Sequence, residues 1–303
     1  MNKDHSAAWG DFWADNAESG GGGCLPSAWQ GIDGAQQAAW RKFAQDLPRK
    51  TRLLDIATGD GRVMGWLLKS RKDLKPVGCD LAATLPSPPS GTKVRGGVAM
   101  EELPYQDDAF GAVTSQFGFE YGQTGAAAAE IARILKPGGV VGLMTHRIDG
   151  PILAHNLARR EQINWVFEQE GLMELAKRSL ALRAGGLATI PSKILQAPQI
   201  GAGKFGRGSA AWEISEAILQ SLQFGKRDRP QNVARLLDTI RAKAQNELGR
   251  IASLEAACQT TGNAERFLAD VSSAGLRQLS VEPLAERSGN AAFADFRLLQ
   301  HAA

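Results

Sequence analysis

The chain has 303 residues, 43% of them hydrophobic and 22% charged, a balance that excludes collagen-like and wholly disordered chains. Its 35 Lys and Arg against 32 Asp and Glu leave a net charge of +3, too slight by itself to imply a nucleic-acid partner. Cys24, Cys79 and Cys258 stand far apart and form no paired motif, which predicts a reducing, cytoplasmic setting. No signal-peptide pattern opens the chain, and no apolar stretch approaches the roughly 20 residues of a membrane span.

Residues 1–50 are rich in Trp, Ala and Gly, with Trp9, Trp13, Trp29 and Trp40 among them, and Gly20 to Gly23 reads as a break in the chain. Gly34 to Leu47 reads as an amphipathic helix presenting Trp40, Phe43 and Leu47, ended by Pro48. The pattern then alternates. Arg52 to Ala57 is a buried strand, Arg62 to Arg71 a helix, Lys75 to Asp80 a second strand, and Lys93 to Ala99 a third after a proline-rich loop. Phe110 to Gln116 is a fourth strand and Ala126 to Leu135 a helix stopped at Pro137-Gly138-Gly139. Val140 to Thr145 is a fifth strand, and two more are expected over Gly275 to Leu284 and Ala292 to Leu299. Between them, residues 151–269 show helical periodicity, with a Gly-rich loop expected over 185–210. No metal-ligand cluster is visible in the sequence and no metal-binding residue is assigned, which leaves the need for a metal open.

Strand–helix alternation predicts an α/β fold with a parallel sheet, whose ligand site lies beyond the carboxyl ends of the strands. The first strand–turn–helix is Leu54-Asp55-Ile56-Ala57-Thr58-Gly59-Asp60-Gly61-Arg62. Gly59 and Gly61 allow close approach of a ligand, and the following helix favours an anionic group at its N-terminus. The dinucleotide fingerprint would need glycine at 64, where methionine stands, and the phosphate loop's Gly-Lys-Ser/Thr is absent. Asp55 repels phosphate but suits an ammonium group. S-adenosylmethionine carries one together with a carboxylate.

Four stretches then carry a likeness: LLDIATGDGR (53–62), VGCDLA (77–82), VAMEELPYQDDAFGAVTSQFGFEY (98–121) and EIARILKPGGVVGLM (130–144). In this order and spacing they resemble the class I S-adenosylmethionine-dependent methyltransferases, and within these the small-molecule branch of methyltransferase type 11, with its ubiquinone- and menaquinone-type enzymes. The resemblance implies a Rossmann-like seven-stranded mixed sheet over 51–150 and 270–303. It places a lid segment at 1–50 and a substrate-binding helical cap, 151–269, inserted after the fifth strand. It implies that Asp55, Ala57, Gly59 and Gly61 form the methionine-binding loop, with Ala57 where the family usually has glycine. Asp80 would accept from the ribose hydroxyls and Leu81 would flank the adenine. Ala99, Met100 and Glu101 would contact the adenine edge, Ala99 standing where many relatives have aspartate. Gln116 and Phe117 would lie under the transferred methyl, and Trp13 would cover the cofactor, its aromatic face attracting the sulfonium cation.

His146 after the fifth strand and Glu120 after the fourth are the candidate proton acceptors. The expected partner is a small-molecule methyl acceptor with an O, N or C nucleophile, enclosed by the cap, while the oligomeric state is not encoded in any motif. An RNA or protein methyltransferase, or a non-catalytic S-adenosylmethionine-binding protein, are the rival readings, and an oxidoreductase is disfavoured by Met64. The basic run Lys226, Arg227, Arg229 and Arg235 reads as a solvated helix face, because aromatic stacking partners are scarce around it.

Overall fold

A computed structural model describes residues 9–14, 30–184, 189–287 and 289–302 of the chain. The glycine break at 20–23, Cys24 and Trp29 lie outside the described residues. Residues 9–14 are helical. In chain order follow α1 (Gln30–Gln45), β1 (Arg52–Ile56), α2 (Arg62–Ser70), β2 (Lys75–Cys79), β3 (Lys93–Arg95), β4 (Phe110–Gln116), α3 (Thr124–Ile134) and β5 (Leu135–His146). Then come α4 (Pro151–Asn164), α5 (Leu172–Ala184), α6 (Ser192–Phe205), α7 (Ala210–Phe224), α8 (Pro230–Gly262), α9 (Ala264–Ser273), β6 (Leu276–Leu284) and β7 (Ala294–His301). The described residues divide into two compact units, one running to Leu153 and resuming at Ala252, the other spanning Ala154–Ile251.

The first unit is a Rossmann-like seven-stranded mixed sheet in the order β3-β2-β1-β4-β5-β7-β6. β1 pairs in parallel with β2 and β4, β4 pairs in parallel with β5, and β7 runs antiparallel to both β5 and β6. The chain steps outward from β1 to β3 and then returns to β4. The strand order therefore reverses between β1 and β4, and a crevice opens at their carboxyl ends. Leu53, Leu54 and Ile56 of β1 are buried, each such side chain contributing roughly 1.5–3 kcal/mol. On one face Leu54, Val113, Ile131, Val141, Phe267 and Leu299 belong to a single apolar cluster. Elsewhere Trp40 and Phe43 of α1 meet Phe296 of β7 at ring separations of 5.1 and 6.1 Å. Gly142 of β5 makes that contact possible: a Cβ there would lie 3.0 Å from the Trp40 ring.

Three sequence expectations change. β3 stops at Arg95 rather than Ala99, because a Cβ on Gly96 would lie 2.6 Å from the Ala83 carbonyl and Gly97 turns left-handed at φ 70°. β5 starts at Leu135 rather than Val140; the Pro-Gly-Gly turn is carried inside the strand as an irregularity, and the register with β4 shifts between Phe110 and Ala112. The loop expected over 185–210 is largely helix, α6, with Pro198 inside it. A proline there costs about 3 kcal/mol. Burial of Ile194 and Ala197 opposes that cost, together with close packing of Gly201, whose Cβ position is 3.2 Å from the Ala211 backbone.

The second unit has its own core, including Trp165, Val166, Leu172, Met173, Ile218 and Leu237. A π-helical turn, Trp165–Gln169, follows α4. Arg159 on α4 holds Glu247 on α8 at 2.5 Å. Among the described residues, no helix is long and apolar enough to cross a membrane.

Candidate functional site

The crevice is built from loops that the backbone forces into unusual geometry. After β1, Ala57, Gly59 and Gly61 take φ of 52°, 52° and 72°. Alanine in this left-handed region is strained by about 1 kcal/mol. Its methyl is tolerated because the residue facing it is Gly118, whose own Cβ would lie 2.4 Å from that of Ala57. Met64 occupies the helix position where a third glycine would stand in a dinucleotide site. It is buried, and its Sδ-methyl comes within 2.9 Å of the Cβ position of Gly78 on β2.

Asp55 is buried at the core of this arrangement. Its oxygens accept hydrogen bonds from the hydroxyls of Thr58, at 2.6 Å, and Thr114, at 2.7 Å. Burial pushes its pKa from the ordinary 3.8 to about 7, against the lowering effect of those bonds, and the nearby Asp60 and Asp80 carboxylates add to the rise. Asp80, after β2, is buried too. One oxygen accepts the Gly59 N–H and the other the Ala82 N–H, each at 2.9 Å. Burial raises its pKa while the amide bonds oppose the rise. The Gly59–Asp80 bond ties the loop after β1 to the end of β2. The first amide of α2 is taken internally, Arg62 N–H donating to Asp60 at 3.1 Å, and the Arg62 guanidinium clamps the same carboxylate at 2.7 Å.

Leu81 is exposed beside Asp80. Ala99, Met100 and Glu101 follow β3, half-buried, and lie against the chain after β4: the Met100 sulfur is 2.7 Å from the Cβ position of Gly122, and Glu101 accepts the Gln123 N–H at 2.8 Å. Gln116, at the end of β4, is turned toward α1, accepting from the Trp40 indole at 2.7 Å and donating to Gln36 at 3.3 Å. Phe117 follows with φ 54°, a costly value for a side chain of its size. That conformation lays its ring flat on His146, with centroids 4.2 Å apart and planes 7° from parallel.

Glu120 and His146 form a buried polar pair. Glu120 Oε1 accepts the His146 backbone N–H at 2.8 Å, while Glu120 Oε2 and His146 Nδ1 are buried without a hydrogen-bond partner among the described residues. Burial pushes Glu120 up to about 7 and His146 down to about 3, so His146 is neutral near pH 7. Tyr121 meets the His146 ring edge-on at 5.9 Å. The helical stretch at 9–14 lies on the same rim. Trp9 contacts Tyr121 edge-to-face and Phe12 contacts Trp13, whose indole comes within 2.4 Å of the Cβ position of Gly59.

Sequence reasoning missed several supporting residues. Thr58 and Thr114 hold Asp55, Gly118 makes room for Ala57, and Thr261 of α8 donates to the His146 carbonyl at 2.7 Å. Arg297 lies over the Phe267 ring at 4.6 Å and lowers the Glu120 pKa through its charge. One signal was available: Arg297 interrupts the apolar run Phe296, Leu298 and Leu299, and the structure buries it. Among the described residues no group of three His, Cys, Asp or Glu side chains is placed to hold a metal ion.

The crevice fits S-adenosylmethionine on its own geometry. The two left-handed glycines carry no side chain, though the Trp13 indole lies against Gly59 and Pro89 against Gly61, and Asp55 and Asp80 are buried carboxylates with no ion-pair partner among the described residues, an environment suited to a ligand bearing positive charge. The family described as "Methyltransferase domain" matches residues 54–143. A demethylmenaquinone methyltransferase of Thermus thermophilus is 36% identical over 111 residues, 33% of this chain and 50% of the relative. Another, of Corynebacterium kroppenstedtii, is 35% identical over 112 residues, 36% of this chain and 47% of the relative. The chain thus spans about half the length of the curated relatives it matches. A solved SAM-dependent methyltransferase from Methanosarcina mazei shares 11% identity across 86% of this chain and 97% of its own length, with a TM-score of 0.41.

Proposed function

We propose that this chain, whose residues 54–143 form a methyltransferase domain of the class I S-adenosylmethionine-dependent kind, transfers a methyl group to a nucleophile on a small molecule. When bound, S-adenosylmethionine supplies an electrophilic methyl on a sulfonium that is already a good leaving group. Gly59 and Gly61 would receive its methionine part beside Asp55. Asp80 would hold the ribose, with Leu81, Ala99, Met100 and Glu101 along the adenine. The observation that carries this reading is the convergence of the left-handed Gly59 loop and Asp80, joined by one hydrogen bond, at the point where the strand order reverses.

Glu120 is the proton acceptor in this reading. Its Oε2 is buried and unpartnered, and its pKa of about 7 suits a base working near neutrality. His146, held neutral down to about pH 3, is a flat support for Phe117 rather than the base. The small-molecule acceptor is supported by the names of the two curated relatives, and the helical unit, residues 154–251, would select it.

Calorimetric titration of the whole chain with S-adenosylmethionine and S-adenosylhomocysteine tests the proposal. Micromolar binding of both is expected. Asp80→Ala should weaken it by about tenfold or more, since a hydrogen-bonded charge contributes roughly 1.5–3 kcal/mol. Absence of binding to either compound would overturn it.

A further inference from the structure

The methyl-transfer reading leaves one sequence feature without a role, the basic run at 226–229. In the structure it sits at a corner of the helical unit. Lys226 and Arg227 form a 3₁₀ turn between α7 and α8. Val233, in the first turn of α8, packs on Gly225, its Cγ2 lying 2.4 Å from the Cβ position of that glycine. The Arg183 guanidinium, at the end of α5, donates to the Gly225 carbonyl at 2.6 Å and to the Asp228 carbonyl. Three helix ends therefore meet here.

The corner joins two kinds of exposure. Phe224 is 82% exposed, the only exposed aromatic ring among the described residues, and Leu182 and Leu236 on the adjoining helices are 57% and 54% exposed. Lys226, Arg227, Arg229 and Arg235 are exposed around it, and none of them is ion-paired among the described residues. The neighbouring acids are already engaged: Asp228 accepts from Asn232 and from the Arg229 N–H, Asp238 pairs with Lys177, and Glu174 pairs with Arg241. Asp228, within the run, offsets part of this charge through Arg183 and Arg229, and the four cations leave a net positive corner around a projecting apolar tip.

We propose that this corner docks the protein on an anionic lipid surface, Phe224 entering the headgroup boundary while Lys226, Arg227, Arg229 and Arg235 face lipid phosphates and carboxylates. Charge complementarity selects an anionic partner, and the shape of the patch selects a membrane. An apolar ring and two leucines gain by leaving water at an interface, and cations beside them gain from the surface potential. A single-stranded nucleic acid would need a row of stacking rings, and here there is one. The inference is independent of the methyl-transfer reading.

The test is co-sedimentation of the whole chain with vesicles of phosphatidylcholine alone and of phosphatidylcholine mixed with phosphatidylserine, at low and high salt. Binding is expected only to the mixed vesicles, weakened by salt. Lys226→Glu and Arg227→Glu should each lower partitioning by at least about fivefold, the effect of losing one cation near such a surface. Phe224→Ser should lower it at both salt concentrations. These side chains are exposed, so the variants should fold and should bind S-adenosylmethionine as the unmodified chain does. Failure to sediment with mixed vesicles would overturn the proposal. So would oligonucleotide binding that Phe224→Ser leaves intact in the absence of vesicle binding, or self-association in ultracentrifugation that Phe224→Ser abolishes without any vesicle binding.

Discussion

The sheet unit and the helical unit differ most in what they bury. Among the described residues the sheet unit hides Asp55, Asp80, Glu120, His146 and Arg297, whereas the polar side chains hidden between Ala154 and Ile251 are Ser179, Ser209 and Ser215. A hidden hydroxyl is satisfied cheaply, but a hidden ionisable group must be neutralised, hydrogen-bonded or used. The sheet unit bears a cost that packing does not require, and Asp55, Asp80, Glu120 and His146 bear it at the carboxyl ends of β1, β2, β4 and β5. Perturbed acids gathered at a crevice are the arrangement that acid–base chemistry uses, and they favour placing the proposed chemistry in the sheet unit.

That contrast can be broken at both ends. The largest expected effect is on chemistry: Glu120→Gln keeps the bond to the His146 amide but cannot accept a proton, and methyl transfer should fall by about 10²–10⁴-fold in a turnover assay. In the unmodified chain the rate should rise with pH through about 7 as Glu120 ionises, and the variant should lack that limb.

Asp55→Asn comes next, on stability. Asp55 binds its proton more tightly folded than unfolded, so the folded state gains as pH falls below about 7 and loses as pH climbs from 3.8 to that value. At about 1.4 kcal/mol for each pH unit, the loss at pH 8 is roughly 4 kcal/mol. Denaturant unfolding should find Asp55→Asn more stable than the unmodified chain at pH 8, with the gain shrinking toward pH 4, and weaker in cofactor binding at both. A variant less stable at pH 8 would show that the carboxylate is compensated in the fold.

Gly59→Ala should cost about 1–3 kcal/mol, because the left-handed backbone and the Trp13 indole both oppose a methyl there. It should also reduce cofactor affinity. In the helical unit, Gly201→Val should destabilise by a similar 1–3 kcal/mol through overpacking against Ala211 and Trp165, with cofactor affinity unchanged. Loss of cofactor binding in that variant would erase the distinction between the units. The smallest effect belongs to His146→Phe, which keeps the flat stack on Phe117 and removes an unpartnered nitrogen. Its rate should stay close to that of the unmodified chain, and a collapse would return the role of base to His146.

The strands of the sheet and the glycine loop were legible because burial and left-handed turns restrict residue type strongly. Asp55 and Gly59 stood out by their place after the first strand, and Asp80 through the family resemblance. Supporting contacts were not legible in the same way. The tie from Gln116 to Trp40 spans 76 positions and that from Thr261 to His146 spans 115, and no local pattern encodes such a meeting. α6 was misread for the opposite reason. Its glycines and proline signal a loop locally, and only the close approach to Ala211 gives them a helical use. Glu120 and His146 were visible as candidates, but their opposite protonation preferences arise from burial in the folded chain.

The contact between Ala57 and Gly118 has a historical side. With the backbone as it stands, the space between the two α-carbons holds one methyl. A lineage could carry it at 57 or at 118, or leave the space empty, but two at once would collide. Descent from one arrangement to the other therefore passes through a chain with glycine at both places, and neither position can be inherited without regard to the other. An alanine at 57 is thus half of a two-letter word, and its meaning is set by the letter at 118.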